Sequence, residues 1–184
     1  MRRSWDCQIA VLGIGRVRAG MSEPAKGLTQ AALTELAGLL TATSSFEDLM
    51  QAVADLVGRA VPAATTCGIT LAENGHVITV ASADALARLL DEQQYEVQDG
   101  PCLEAIRTAR VVLADDLTAE TRWDGYPAMA VAQGVRAVLS SPLLVNDALI
   151  GALNLYAMTP RAFDADSRAA ARQLTALAAA TVTA

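Results

Sequence analysis

The sequence predicts an α+β domain. Two observations carry that expectation: the apolar period changes from helical to alternating after Pro62, and strand-like runs are joined by two-residue turns at Asn74-Gly75 and Asn146-Asp147. Tight turns imply antiparallel strands, against which the flanking helices pack. Composition agrees, since 53% apolar residues and 18% charged residues suffice for one well-buried core in 184 residues.

The elements follow in order. Between Thr29 and Leu40, Ala32, Leu33, Leu36, Leu39 and Leu40 recur at helical spacing. A second helix is expected from Ser44, with Glu47 completing a capping box. Its inward face comprises Phe46, Leu49, Met50, Val53, Leu56, Val57 and Ala60, and Pro62 ends it. Cys67, Ile69 and Leu71 then alternate with small or polar residues, and His76 to Ala81 returns as the second strand. Asp84 caps a helix running towards Gln94. Asp99-Gly100-Pro101-Cys102 turns into a short helix through Thr108, with Pro101 suited to the first helical position. A short strand, Val111–Ala114, precedes a polar and aromatic connection from Asp115 to Tyr126. A helical piece, Ala128–Gln133, closes at Gly134. Two long strands, Val135–Val145 and Ala148–Ala157, lead past Pro160 to a last helix, Ala165–Val182, capped by Asp164. This order places hairpins at both ends of the sheet.

Charge is uneven. Residues 1–20 hold four arginines and one aspartate, a side-chain sum of +3, so the other 164 residues carry −9 of the total −6. Residues 1–25 read as a leader, with neither a secretory cleavage pattern nor a following βαβ unit for Gly13-Ile-Gly15. Residues 26–184 form the domain. The acidic balance speaks against direct nucleic-acid binding, and no apolar run is long enough to span a bilayer. Three cysteines without metal-ligand spacing and one histidine, His76, argue against a metal centre and for a cytoplasmic setting.

Several blocks sharpen the reading. Gln93-Gln94-Tyr95, Asp99 to Ala105, Asp116-Leu117, Arg122-Trp123, Gly134-Val135-Arg136, Ser141-Pro142-Leu143 and Gly151 to Tyr156 occur in register over residues 29–183. With the element order, they resemble a GAF domain, specifically the sensor portion of actinobacterial GAF–ANTAR antitermination regulators. The resemblance implies a PAS-like antiparallel sheet of five or six strands, with helices on one face and further helices around a pocket. It implies sensing of a small molecule in signal transduction or transcription regulation, with no catalysis and no cofactor. The sequence runs to Ala184 without an ANTAR module, so either output is expected through a separate effector or the sequence is a fragment. The first helix and the alanine-rich last helix offer small and apolar faces for a homodimer.

Candidate ligand-binding residues are Cys102, Trp123, Tyr126, Arg136 and Ser140. Cys102, just inside a helix start, is placed where unpaired N–H groups and the helix dipole lower a thiol pKa; the alternative is an inert buried cysteine. Trp123 and Tyr126, two of only seven aromatics, either wall a pocket or plug the core edge. Arg122 and Arg136 suit either an anionic ligand group or surface ion pairs. Ser140 lies on a central strand with no base to activate it. His76 follows the hairpin turn, where no haem ligand is wanted. The cysteine–histidine pair of a bilin site is absent. A lone Lys26 does not supply the cyclic-nucleotide signature. Two alternatives stand beside the sensor: a thiol enzyme like the free methionine sulfoxide reductases, requiring Cys67 and Cys102 to approach, and a pocketless dimerisation scaffold.

Overall fold

The computed structural model describes residues 45–182, with Ala31, Thr34 and Gly38 ahead of them. The leader at residues 1–25 lies outside the described residues. So does most of the first expected helix, of which Ala31, Thr34 and Gly38 are helical and exposed.

Ten elements follow: α1 (Phe46–Ala60), β1 (Thr66–Glu73), β2 (His76–Ser82), α2 (Ala85–Val97), α3 (Pro101–Thr108), β3 (Val112–Ala114), α4 (Tyr126–Ala132), β4 (Ala137–Val145), β5 (Ala148–Ala157) and α5 (Ala165–Val182). The α+β expectation therefore holds, with five strands in the order β2-β1-β5-β4-β3, every neighbouring pair antiparallel.

Local chemistry explains the element ends. Ser45, one residue later than the sequence signal suggests, caps α1 by accepting from Asp48 N at 3.1 Å. Asp84 accepts from Ala87 N at 2.9 Å and from Thr66 Oγ1 at 2.7 Å, fixing the start of α2 to the start of β1. The first hairpin turns at Asn74 (φ 52°) and Gly75 (φ 80°), the second at Asn146 (φ 49°) and Asp147 (φ 63°). Positive φ at both central residues matches the right-handed strand twist. α4 begins two residues before its expected start. β4 begins two residues after its own, because Val135 N still bonds Ala130 O at 3.1 Å behind the helix.

The second hairpin is not at an edge. β5 inserts between β1 and β4, and the three-residue β3 forms the far edge. The reason is burial: from Gly151 to Ala157 β5 is buried on both faces, so it belongs in the middle. Gly151 is required there, since a side chain at this position would collide with the Thr70 backbone of β1.

The two faces of the sheet differ in chemistry. Cys67, Ile69, Leu139, Leu143, Leu153 and Leu155 point to the side covered by α1 and α5. Leu49, Met50, Val53, Leu56 and Val57 of α1 meet them, with Ala170, Ala171, Leu174 and Ala178 of α5. The small side chains let α5 lie close to the strands. On the opposite side, α2, α3, α4 and the 115–125 connection cover Val112, Val138 and Tyr156. The middle of that second face is polar: Thr70, Ser140 and Asn154 are all fully buried there.

The apolar face should dominate stability. Leu139→Ala is expected to lower the unfolding free energy by roughly 2–5 kcal/mol, and Leu144→Ala, 38% exposed on the same strand, by less than ~1 kcal/mol, as read by urea denaturation.

Candidate functional site

The polar middle of the second face is organised around one carboxylate. Asp91, Gln94 and Tyr95 lie at i, i+3 and i+4 on α2 and thus share the stripe facing the sheet. Asp91 is fully buried. Its Oδ1 accepts from Asn154 Nδ2 at 2.9 Å and from the Tyr156 hydroxyl, while Oδ2 accepts from Thr79 Oγ1 at 3.0 Å. Gly68 makes this possible, because a Cβ at that position would overlap Asp91 Oδ2.

Hydroxyls extend the cluster. Tyr95 Oη lies 2.7 Å from Thr70 Oγ1 and 2.9 Å from Thr79 Oγ1. Thr70 Oγ1 accepts from Asn154 Nδ2 at 3.1 Å and from Cys102 Sγ at 3.4 Å. With both its lone pairs engaged, Thr70 donates to Tyr95, Tyr95 to Thr79, and Thr79 to the carboxylate. The relay is polarised towards Asp91. Ser140 Oγ donates to Asn154 Oδ1 at 2.9 Å. Gln94 Nε2 donates to Tyr156 Oη at 3.1 Å, and Gln94 Oε1 accepts from Cys102 N at 2.7 Å. Gly100 leaves room for this amide, since a Cβ there would overlap Gln94.

Burial of the carboxylate pushes the Asp91 pKa up to about 6, against the pull of the Tyr156, Thr79 and Asn154 hydrogen bonds. The cation that acts on it, Arg88, is exposed and bonds Thr79 O at 3.3 Å.

The candidate residues divide accordingly. Cys102 and Ser140 enter the cluster. The expected lowering of the Cys102 pKa does not occur: burial, then the Asp91 charge, push the thiol up to about 12. The helix-start effect is outweighed because the sulfur is desolvated beside a carboxylate. Cys67 projects to the opposite face, where its Sγ lies 3.3 Å from Ala54 O and burial pushes it up to about 12. The sheet therefore separates the two thiols. Trp123 and Tyr126 pack in the core of the second face beside Tyr156. Trp123 Nε1 donates to Glu104 Oε2 at 2.7 Å. Burial, then the Asp91 charge, hold the Tyr126 hydroxyl well above its ordinary pKa, and Tyr156 interacts with it. Arg122 takes the ion-pair role, meeting Glu120 at 2.6 Å and stacking 4.3 Å from the Trp123 ring centre. Arg136 acts on Asp116, outside the cluster. His76 is exposed.

Asp91, Asn154, Thr70, Thr79, Gln94, Tyr95 and Tyr156 complete the site without having been singled out individually. The signal available was weak: polar residues in phase with one another on β1 and β5, and Asp91, Gln94 and Tyr95 at helical spacing. A cleft of about 380 Å³ opens on the outer side of α4, lined by Leu117, Glu120, Trp123, Pro127 and Val131 among others. Among the described residues no group of His, Cys, Asp and Glu is arranged to hold a metal ion, and no helix is long and apolar enough to cross a membrane.

A five-stranded antiparallel sheet with two helices behind it and a polar, helix-covered front is the layout of a small α+β domain. The GAF domain family model matches residues 43–183, and the chain belongs to that family. Among solved structures it is similar to the GAF domain of a phosphoenolpyruvate-protein phosphotransferase from Coxiella burnetii (16% identity, 83% of this chain and 91% of that one, TM-score 0.67). It is also similar to free methionine-R-sulfoxide reductase from Neisseria meningitidis, solved with its substrate (14% identity, 89% and 96%, TM-score 0.66). A third likeness is to the chromophore-binding domain of a bacteriophytochrome from R. palustris (11% identity, 83% of this chain, TM-score 0.62), of which this chain spans only 60%. No curated protein sequence matches the chain. At these identities the likenesses establish the fold.

Two predictions follow from the cluster. Because folding raises the Asp91 pKa above its ordinary value of 3.8, the folded state binds more protons between about pH 4 and 6, so this group's contribution falls as pH rises through that window. Asp91→Asn keeps the shape and removes the charge. Its stability relative to the parent should grow from pH 4 to pH 7, by on the order of 3 kcal/mol in chemical denaturation. Second, a thiol reagent at pH 8 should label neither Cys67 nor Cys102 in the native domain, and both after denaturation. Rapid native labelling of Cys102, located by peptide mapping, would contradict the burial described.

Proposed function

We propose that this GAF domain is a non-catalytic regulatory module that senses a small molecule on the α2–α4 side of its sheet. The observation that carries the reading is the buried polar cluster at the centre of that face. A domain needing only a packed interior gains little by placing an ionisable acid, two amides and five hydroxyls there, whereas convergent polar groups under a helical cover are what a ligand site requires. Trp123 and Tyr126 form part of that cover. The resemblance of its sequence blocks to GAF–ANTAR sensors is the ground for proposing an output in transcription regulation, delivered through a separate effector protein. The terminal helices supply the surface for a homodimer, and the setting is cytoplasmic.

The thiol-enzyme alternative is less favoured by the geometry. A nucleophilic and a resolving cysteine must meet, yet Cys67 and Cys102 lie on opposite faces and burial holds both as thiols. The pocketless scaffold is less favoured because it leaves the polar cluster without a role.

The test is a screen of a metabolite collection, amines and non-amines alike, by thermal shift of the full chain. At least one class should raise the melting temperature saturably, with the effect reduced in Trp123→Ala. If no compound does so, the sensing proposal fails. With methionine sulfoxide, thioredoxin, its reductase and NADPH, turnover should not exceed the blank. Turnover lost on Cys102→Ser would establish the enzyme instead.

A further inference from the structure

The sheet stops short along one margin. β3 pairs with β4 only at Val138, Leu139 and Ser140, whereas β4 continues to Val145. From Ser141 onward β4 has β5 on one side and, among the described residues, no strand on the other. Pro142 suits such a margin, because a proline has no N–H to give a further strand. Continued in register, Val111 and Arg110 would meet Ser141 and Pro142; instead the two segments part. A groove of about 340 Å³ lies there. Ala109 and Val111 line it from the chain entering β3, Pro142 and Leu144 from β4, and Arg172, Thr175 and Ala176 from α5.

The lining is mostly apolar and carries one ionic group. Leu144 is among the few large apolar side chains left exposed. Thr175 makes no demand on a ligand, since its hydroxyl bonds Ala171 O at 3.2 Å and Arg172 O at 2.9 Å within α5. The ionic group is Arg172, which is exposed, and no carboxylate lines the groove. Arg107 and Arg122 have carboxylates at 2.9 and 2.6 Å, but Arg172 has no ion pair among the described residues. The same is true of Arg110, exposed between the lining residues Ala109 and Val111. Two guanidinium groups without counter-charges thus border one apolar groove, although residues 21–184 sum to −9.

That combination selects a chemistry. An ammonium group would be repelled by Arg172, and a neutral alcohol would cover the groove without using the charge. A carboxylate meets a guanidinium with two parallel hydrogen bonds, and an aliphatic chain behind it covers the apolar lining. The volume lies at the small end for ligand pockets, which suits a chain of medium length.

We propose that this margin is a second ligand site, separate from the α2–α4 side, for a small aliphatic monocarboxylate. Its carboxylate pairs with Arg172, with Arg110 adding positive charge at the rim, and its chain lies along Val111, Pro142 and Leu144.

The experiment uses the full chain and sodium octanoate at pH 7, with sodium butyrate, n-octanol and n-octylammonium chloride as matched controls. Isothermal calorimetry should show saturable binding of octanoate, several-fold tighter than butyrate and at least ~10-fold tighter than the alcohol or the amine. In amide-resolved NMR the signals of Val111, Leu144 and Ala176 should shift on titration, and those of Asp91, Gln94 and Tyr126 should not. Arg172→Gln should weaken octanoate at least ~10-fold and Leu144→Ser several-fold. Arg107→Gln, whose arginine is already paired with Asp99, should bind as the parent does. All these positions are exposed, so the variants should fold, as circular dichroism checks. Absence of saturable octanoate binding, unchanged affinity in Arg172→Gln, or equal binding of octanol or octylammonium overturns the proposal. So do shifts confined to the α2–α4 side. Failure here leaves the sensing reading standing, because that reading rests on other residues.

Discussion

The Asp91 carboxylate is the constraint around which the front of this domain is built. A charge with no access to water must have its lone pairs occupied, and three donors from β2 and β5 do so. That requirement fixes the rotation of α2, because only one stripe of the helix can present Asp91, Gln94 and Tyr95 together. It also fixes two glycines: Gly68 yields space to the carboxylate and Gly100 to the Gln94 amide. The direction of the hydroxyl relay, from Thr70 through Tyr95 and Thr79, is set by an amide that only donates at one end and an ionised acid that only accepts at the other.

Such an arrangement is affordable because the other face carries the stability. Behind the sheet, α1 and α5 bury an apolar layer with few polar groups among it. The front trades part of that hydrophobic contribution for specificity, since each buried hydroxyl and amide tolerates only a few neighbours. This division also separates the two described thiols. Cys67 packs as a small apolar group in the rear layer, whereas Cys102 is one member of the front network, and neither is placed to act on the other.

The fold is shared with proteins of different kinds, including a reductase, a phosphotransferase domain and a chromophore-binding domain, at 11–16% identity. Fold alone therefore does not choose among activities. In this member the front face holds a buried acid, Asp91, with Tyr95, Tyr126 and Tyr156 around it.

Much of this architecture was legible along the chain. Alternation from Cys67 to Leu71, the Asn74-Gly75 turn, the Asp84 cap and Pro101 at a helix start are local signals, and each acts where it stands. The sequence by itself determined the class of fold, the antiparallel hairpins, the element order and the family. Tertiary structure decided the rest. It placed β5 beside β1, which no local pattern specifies because strand neighbours are chosen by burial on both faces. It set Cys67 and Cys102 on opposite sides of the sheet, and raised the pKa of Cys102 where a helix start alone suggests lowering. Above all it assembled Asp91 with Tyr156, 65 residues away, into one charged centre. Electrostatics in a desolvated interior depends on every surrounding group at once, and that sum exists only after the chain has folded.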